Sequence, residues 1–171
     1  METINLGGFP RSGNHFALEL FNNTVLNCKV VWIEHSVHKI IEFKNVVTLI
    51  RNPDECIPAW IVLTNDERGN RAEKVLEWYI SYYEACKMAK SFILPFESLI
   101  SKPTNSVAAV SERYGLGKPV IENFDFDFST GIHSPTLDKS DFPKILDEMK
   151  SCPDYQKAID IFHDLNDSSL I

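Results

Sequence analysis

The feature that most constrains the fold is a regular alternation of short apolar runs with helical stretches along residues 1–115. The apolar runs predict strands over Ile4–Gly8, Cys28–Ile33, Val46–Ile50 and Phe92–Phe96. The helical periodicity predicts helices over Asn14–Asn22, Arg71–Ser91 and Pro103–Tyr114. Strands that alternate with helices are typical of a parallel sheet covered on both faces. The sequence therefore predicts an α/β fold, a single-domain three-layer sandwich with a mostly parallel sheet of four to five strands.

The length of the chain, 171 residues, is that of one ordinary domain. We expect a single domain over 1–171, with an α/β core at 1–115 and a covering loop and C-terminal helices at 116–171. The stretch Lys118–Leu137 has little periodicity, and its alternating run Phe124–Phe128 fits an edge strand or a loop over the site. Closing helices are predicted at Phe142–Lys150 and Asp154–Leu165.

Composition narrows the class of partner and the compartment. The net charge of −7 argues against a general nucleic-acid binder, which would carry a basic face. The four cysteines are widely spaced and form no C-x-x-C pair, which favours reduced thiols in a cytoplasmic protein. The N-terminus does not resemble a signal peptide, and no apolar run approaches the roughly 18 residues of a membrane span. We therefore expect a soluble protein with no membrane partner.

A glycine-containing turn, Gly8–His15, lies between the first strand and the first helix. Its glycines, Gly8 and Gly13, have the spacing of a P-loop, whose backbone N–H groups and following helix N-terminus hold phosphate. Asn14 and His15 stand where a nucleotide hydrolase has Lys and then Ser or Thr, the Mg²⁺ anchor. The segment therefore predicts a P-loop-like phosphate loop after strand 1, with its cation at Arg11. The alternative is an ordinary turn that exposes an arginine.

The run Gly-Phe-Pro-Arg-Ser-Gly-Asn-His resembles the 5′-phosphosulfate loop of the sulfotransferase family. That resemblance implies that the chain uses 3′-phosphoadenosine 5′-phosphosulfate (PAPS) as donor, releases 3′-phosphoadenosine 5′-phosphate (PAP), and needs no obligatory metal. It implies that Arg11 stabilises the bridging oxygen and that Phe16 stacks on adenine. The residues implied to bind the donor in this loop are Pro10, Arg11, Ser12, Gly13, Asn14, His15 and Phe16.

Two further segments resemble elements of the same family. The strand Val46–Ile50 followed by Arg51-Asn52-Pro53 is similar to the 3′-phosphate element, which implies that Arg51 binds the 3′-phosphate. The family's serine of that element is Ala59 here, which removes one hydrogen bond. Phe96, after the fourth strand, stands where the family has an aromatic residue near adenine. The alternatives are a surface ion pair for Arg51 and an ordinary core position for Phe96.

A sulfuryl transferase needs a base that removes the acceptor proton. Val31–His35 resembles the family's strand that ends in the catalytic histidine, so His35 is the predicted base. His38 is a rival if a helix begins there, and His133 is another if the tail folds over the site.

The resemblance covers about the first 115 residues, and the family's C-terminal phosphate element has no clear match. It favours a sulfotransferase that acts on a hydroxyl or amine of a small-molecule or glycan acceptor. Two alternatives stay open: a PAP-binding protein without catalysis, and an atypical P-loop kinase.

Overall fold

The computed structural model describes residues 2–25, 28–64, 71–121 and 139–169. The strands in these ranges are β1 (Glu2–Gly8), β2 (Thr24–Val25), β3 (Cys28–Trp32), β4 (Val46–Ile50), β5 (Phe92–Pro95) and β6 (Val120–Ile121). The helices are α1 (Asn14–Asn22), α2 (Val37–Glu42), α3 (Pro53–Thr64), α4 (Arg71–Met88), α5 (Phe96–Ser101), α6 (Pro103–Tyr114), α7 (Phe142–Ser151) and α8 (Tyr155–Ser168).

Four of the strands form a parallel sheet in the order β3-β1-β4-β5. Leu6 of β1 is in register with Trp32 of β3 on one side and with Val47 of β4 on the other. From β1 the chain goes first to its neighbour β3 and then crosses back past β1 to its other neighbour, β4. Open parallel sheets bind ligands at the carboxyl edge of such a reversal. The predicted α/β fold with a parallel sheet is confirmed.

Helices cover both faces of the sheet, because successive residues of a strand point to opposite sides. Val47 and Leu49 of β4 pack with α1, α5 and α6, while Val46 and Ile50 belong to the core formed with α2, α3, α4, α7 and α8. The sheet is therefore the middle of three layers. A small antiparallel sheet, β2 with β6, lies apart from the main sheet. No helix in the described ranges has the length and apolar character needed to cross a bilayer.

The predicted helix Arg71–Ser91 ends earlier, at Met88, because Lys90 turns the chain. Lys90 has φ 52°, and its N–H donates to the Lys87 carbonyl at 3.1 Å. The Ser91 N–H donates to the Cys86 carbonyl at 3.0 Å, which completes a Schellman-type helix end. The turn releases the chain directly into β5. That strand is also shorter than predicted, because Phe96 begins α5.

Helix α3 was not predicted, and it carries Pro58 in its interior. A proline there removes one helical N–H and is usually disfavoured. The helix is started by a local cap instead: Asn52 Oδ1 accepts a hydrogen bond from the Asp54 N–H at 2.9 Å, and Pro53 occupies the first turn. The tripeptide after β4 thus has a structural role as a helix start, in addition to the role predicted for Arg51.

Candidate functional site

Each strand of the main sheet delivers one part of the candidate site at its carboxyl end. The phosphate loop follows β1, His35 follows β3, Arg51 follows β4, and Phe96 follows β5. Parallel strands place these ends at one edge of the sheet. Residues that the sequence predicted from four separate segments are therefore brought together.

The phosphate loop is a well-defined turn. Arg11 has φ 64° and Gly13 has φ 83°, so two of its residues are left-handed. The Ser12 N–H donates to the Phe9 carbonyl at 3.2 Å and closes the turn. Helix α1 begins at Asn14, immediately after Gly13. The N–H groups of the first turn of a helix point out of its N-terminus, and here that end abuts the loop.

Two polar side chains of the loop face inward. The Ser12 hydroxyl is fully buried and lies 3.4 Å from the Tyr83 hydroxyl. The Asn14 amide is 7% exposed and donates to the Phe9 carbonyl at 2.9 Å and to the Gly8 carbonyl at 3.5 Å. Both side chains hold the loop in shape. The loop groups left to contact a ligand therefore include the backbone N–H groups, Arg11 and the exposed His15.

The remaining predicted loop residues differ in burial. Pro10 is buried, and His15 is exposed on the first turn of α1. Phe16 is 7% exposed and belongs to the core between α1 and the sheet. The stacking of Phe16 on adenine stays a prediction, and this ring has little free surface for it.

Arg51 is held by three partners. Its Nε donates to Glu55 Oε2 at 2.8 Å, and its Nη2 lies 2.7 Å from the same oxygen. Its Nη1 donates to the Arg11 carbonyl at 3.1 Å. Its guanidinium carbon stands 4.3 Å from the centroid of the Phe96 ring, a cation–π contact. Arg51 is therefore fixed against the phosphate loop before any ligand arrives.

Phe96 lies beneath this cation and against the loop. A methyl group at Gly13 would overlap the Phe96 ring, so glycine is required there for space as well as for its positive φ. Phe96 is half-buried and takes no part in either apolar core cluster of the described residues. The structure thus places it at the site edge.

Two arginines of the same charge meet at this loop. Burial lowers the pKa of Arg11, and the positive charge of Arg51 lowers it further. An arginine so perturbed still carries its charge, so two positive charges lie at this loop in a chain of net charge −7. One of them, Arg51, is paired with the Glu55 carboxylate.

His35 is bonded to the loop from the other side. Its Nδ1 lies 2.6 Å from the Gly8 carbonyl oxygen. A carbonyl only accepts, so Nδ1 carries the proton and the neutral ring keeps its lone pair on Nε2. The pKa of His35 is lowered, chiefly by burial, while the Gly8 hydrogen bond and the charge of Glu34 act in the opposite direction. The neutral form of the ring is therefore favoured at pH 7.

The three tryptophans of the chain surround His35, which sequence reasoning did not foresee. The ring centroids of Trp32, Trp78 and Trp60 lie 5.5, 6.3 and 6.4 Å from that of His35. They come from β3, α4 and α3, elements far apart in the chain. This aromatic surround explains the desolvation of the imidazole. No sequence pattern signalled this grouping, because the three positions lie far apart in the chain.

Helix α4 supports the site with tyrosine hydroxyls. Tyr79 donates to the Arg51 carbonyl at 2.9 Å, and Tyr83 donates to the Leu49 carbonyl at 2.8 Å. These bonds fix the carboxyl end of β4. The position of the Arg51 backbone therefore depends on α4, a helix that carries none of the residues predicted to bind the donor.

The other predicted residues lie at different places. Ala59 is 7% exposed in the middle of α3. His38 is exposed on α2, so the helix on which its candidacy as the base depended is present. His133 and the run Phe124–Phe128 lie outside the described residues. His35 is bonded to the phosphate loop through the Gly8 carbonyl.

Comparisons with known proteins add no neighbour to this description. No protein-family model matches the chain, and no curated protein and no solved structure matches it either.

Proposed function

We propose that the chain binds PAPS and transfers its sulfuryl group to a hydroxyl or amine of a small-molecule or glycan acceptor. The observation that carries this proposal is that one loop receives two hydrogen bonds from the predicted site. Its Gly8 carbonyl accepts from His35 at 2.6 Å, and its Arg11 carbonyl accepts from Arg51 at 3.1 Å. His35, the candidate base, and Arg51, the candidate binding residue for the 3′-phosphate, are thereby hydrogen-bonded to the same turn.

The residues at this edge fit a nucleotide that carries phosphate at two positions. Arg51 offers its guanidinium to the 3′-phosphate, where charge-assisted bonds are strongest. The loop backbone and the N-terminus of α1 offer N–H groups to the 5′-phosphate. Arg11, on the loop itself, lies close enough to Arg51 for the charge of Arg51 to lower the pKa of Arg11. An anion bound near both guanidinium groups would relieve that repulsion, which supports an anionic ligand.

In the proposed reaction His35 acts on the acceptor and Arg11 on the leaving group. His35 Nε2 takes the proton of the acceptor hydroxyl as the new O–S bond forms. The S–O bond to the donor's bridging oxygen breaks, and its electron pair stays on the 5′-phosphate of PAP. Arg11 stabilises the negative charge that develops there. His35 then releases its proton to water, so a sulfate ester and PAP are the balanced products.

The kinase alternative is disfavoured by Asn14. In a P-loop kinase a lysine at this position reaches the phosphates. Here the Asn14 amide is buried and bonded to the loop carbonyls. The exposed His15 that follows lacks the hydroxyl of an Mg²⁺ ligand.

The binding-only alternative is favoured by two missing hydroxyl contacts. Ser12 directs its hydroxyl to Tyr83, and Ala59 has none. A protein of this kind would hold PAP and show no turnover.

A thermal-shift comparison of PAP, AMP and ATP, each with Mg²⁺ and with EDTA, tests the proposal. A ligand at 100 times its Kd adds about 2.7 kcal/mol of stability, which such an assay detects. We expect PAP in EDTA to give the largest shift. A preference for Mg-ATP would favour the kinase alternative. Equal shifts for PAP and AMP would mean that the site does not bind the 3′-phosphate. Sulfate transfer from PAPS to a panel of phenols, sugars and amines then separates an enzyme from a binding protein.

A further inference from the structure

Glu55 is the partner of Arg51 that no step of the proposed reaction uses. It lies one helical turn beyond Arg51, and one of its oxygens accepts from both Nε and Nη2 of the guanidinium, at 2.8 and 2.7 Å. That pair of nitrogens is one of the edges through which arginine grips a phosphate with two parallel bonds. The carboxylate therefore occupies a place that an anion would need.

The two side chains differ in exposure in a way that allows exchange. The Arg51 side chain is 27% exposed, whereas that of Glu55 is 52% exposed. Glu55 is the more exposed member of the pair and lies on the first turn of α3. Exposed ion pairs of this kind are weak, with a median stabilisation of about 0–1 kcal/mol.

Arg51 does not depend on Glu55 for its position. Its Nη1 is bonded to the Arg11 carbonyl, and its guanidinium rests on the Phe96 ring at 4.3 Å. The Arg51 backbone is held separately by Tyr79. Loss of the carboxylate would leave three constraints in place, so the cation would remain aimed at the site.

We propose that Glu55 is a displaceable counter-ion that competes with the 3′-phosphate for Arg51. It neutralises the arginine in the free protein and is displaced when the bisphosphate binds. When the Glu55 carboxylate returns to Arg51, it weakens the binding of PAP and speeds the release of PAP. This inference rests on the proposed function, because it takes the 3′-phosphate as the anion that Arg51 binds.

The test compares Glu55→Gln with the intact protein by calorimetric titration with PAP and with AMP. Glutamine keeps the shape of the side chain and removes the charge. We expect the variant to bind PAP about two- to tenfold more tightly, the range set by an exposed pair plus relief of repulsion. AMP lacks the 3′-phosphate and should bind both proteins equally. The gain should appear as slower PAP dissociation in stopped-flow measurements.

Glu112→Gln is the matched control, since it removes the same charge from an exposed position on α6. It should leave the affinity for both nucleotides unchanged. If Glu55→Gln binds PAP no more tightly than the intact protein does, the competition is refuted. Weaker binding would mean that Glu55 orients Arg51. If the intact protein shows no preference for PAP over AMP, the proposed function itself fails. The two failures are therefore distinguishable.

Discussion

The Phe96 ring fills the space that a side chain on Gly13 would need, since a methyl group there would overlap two of its edge carbons. The contact joins the start of α5 to the N-terminus of α1, so it sets how closely the phosphate loop and the β5 end approach each other. Gly13 also has φ 83°, which disfavours any residue with a Cβ.

Gly13→Ala should therefore destabilise the protein more than a positive φ alone explains. Gly117→Ala is the matched control, because Gly117 has φ 87° but a methyl group there would meet no atom of the described residues within 4 Å. Both variants should suffer the backbone strain of about 1–2 kcal/mol, and Gly13→Ala should lose about 1–3 kcal/mol more through overpacking. Urea unfolding measures both. When Gly13→Ala is added to Phe96→Ala, the excess loss due to overpacking should disappear. Equal losses of stability for Gly13→Ala and Gly117→Ala would contradict the contact.

Arg51→Ala should abolish the preference for PAP over AMP. A charge-assisted contact contributes about 1.5–3 kcal/mol, so PAP affinity should fall about ten- to a hundredfold while AMP affinity changes little. Calorimetric titration measures both ligands. Arg113→Ala removes the same charge from an exposed site on α6 and should change neither. Equal losses for PAP and AMP would assign Arg51 to loop stability and not to the 3′-phosphate.

Arg11→Ala should lower turnover far more than it lowers PAP affinity. In the proposed reaction, negative charge develops on the bridging oxygen only as the S–O bond breaks, so the contribution of Arg11 should be largest in the transition state. The measurement is kcat with PAPS beside the Kd of PAP for the same variant. Should both change by the same factor, Arg11 is a binding residue with no separate part in the reaction.

His35→Asn should lose activity at neutral pH while it still binds PAP. Positioned proton transfer contributes about 10²–10⁴-fold, and asparagine retains a donor for the Gly8 carbonyl without offering a base. His38→Asn, on the exposed surface of α2, is the control and should remain active. A loss below tenfold in His35→Asn would count against the assignment. A large loss in the His38 variant instead would move the role to that residue, and a loss in neither would direct the search to His133.

His35 should also make stability depend on pH in a defined direction. Its pKa in the folded state lies below its usual value of 6.5, chiefly because burial among aromatic rings disfavours the imidazolium. As pH falls below 6.5, the unfolded chain takes up this proton first, so the free energy of unfolding decreases until the lower folded pKa is reached. Urea unfolding between pH 7.5 and 5 should show a steeper loss for the intact protein than for His35→Asn. Parallel curves would mean that the folded pKa is unshifted.

The local elements followed from the sequence because their causes are local. Asn14–Asn22 and Pro103–Tyr114 were predicted with their observed bounds, and Val46–Ile50 was as well. Periodicity identifies such segments, and Gly115 in the left-handed region ends α6. The glycine spacing after β1 likewise predicted the turn between β1 and α1, while phosphate binding by this turn stays a prediction.

Only the tertiary structure decided what surrounds those elements. The burial of Ser12 against Tyr83 depends on where α4 crosses the sheet. The grouping of all three tryptophans around His35 depends on the strand order, which places β3 beside β1. The start of α3 could be inferred from Asn52 and Pro53, but its passage through Pro58 is sustained by packing. Contacts between residues tens of positions apart leave no periodic trace in a sequence, and the chain's own pattern therefore predicts the parts of the site but not how they meet.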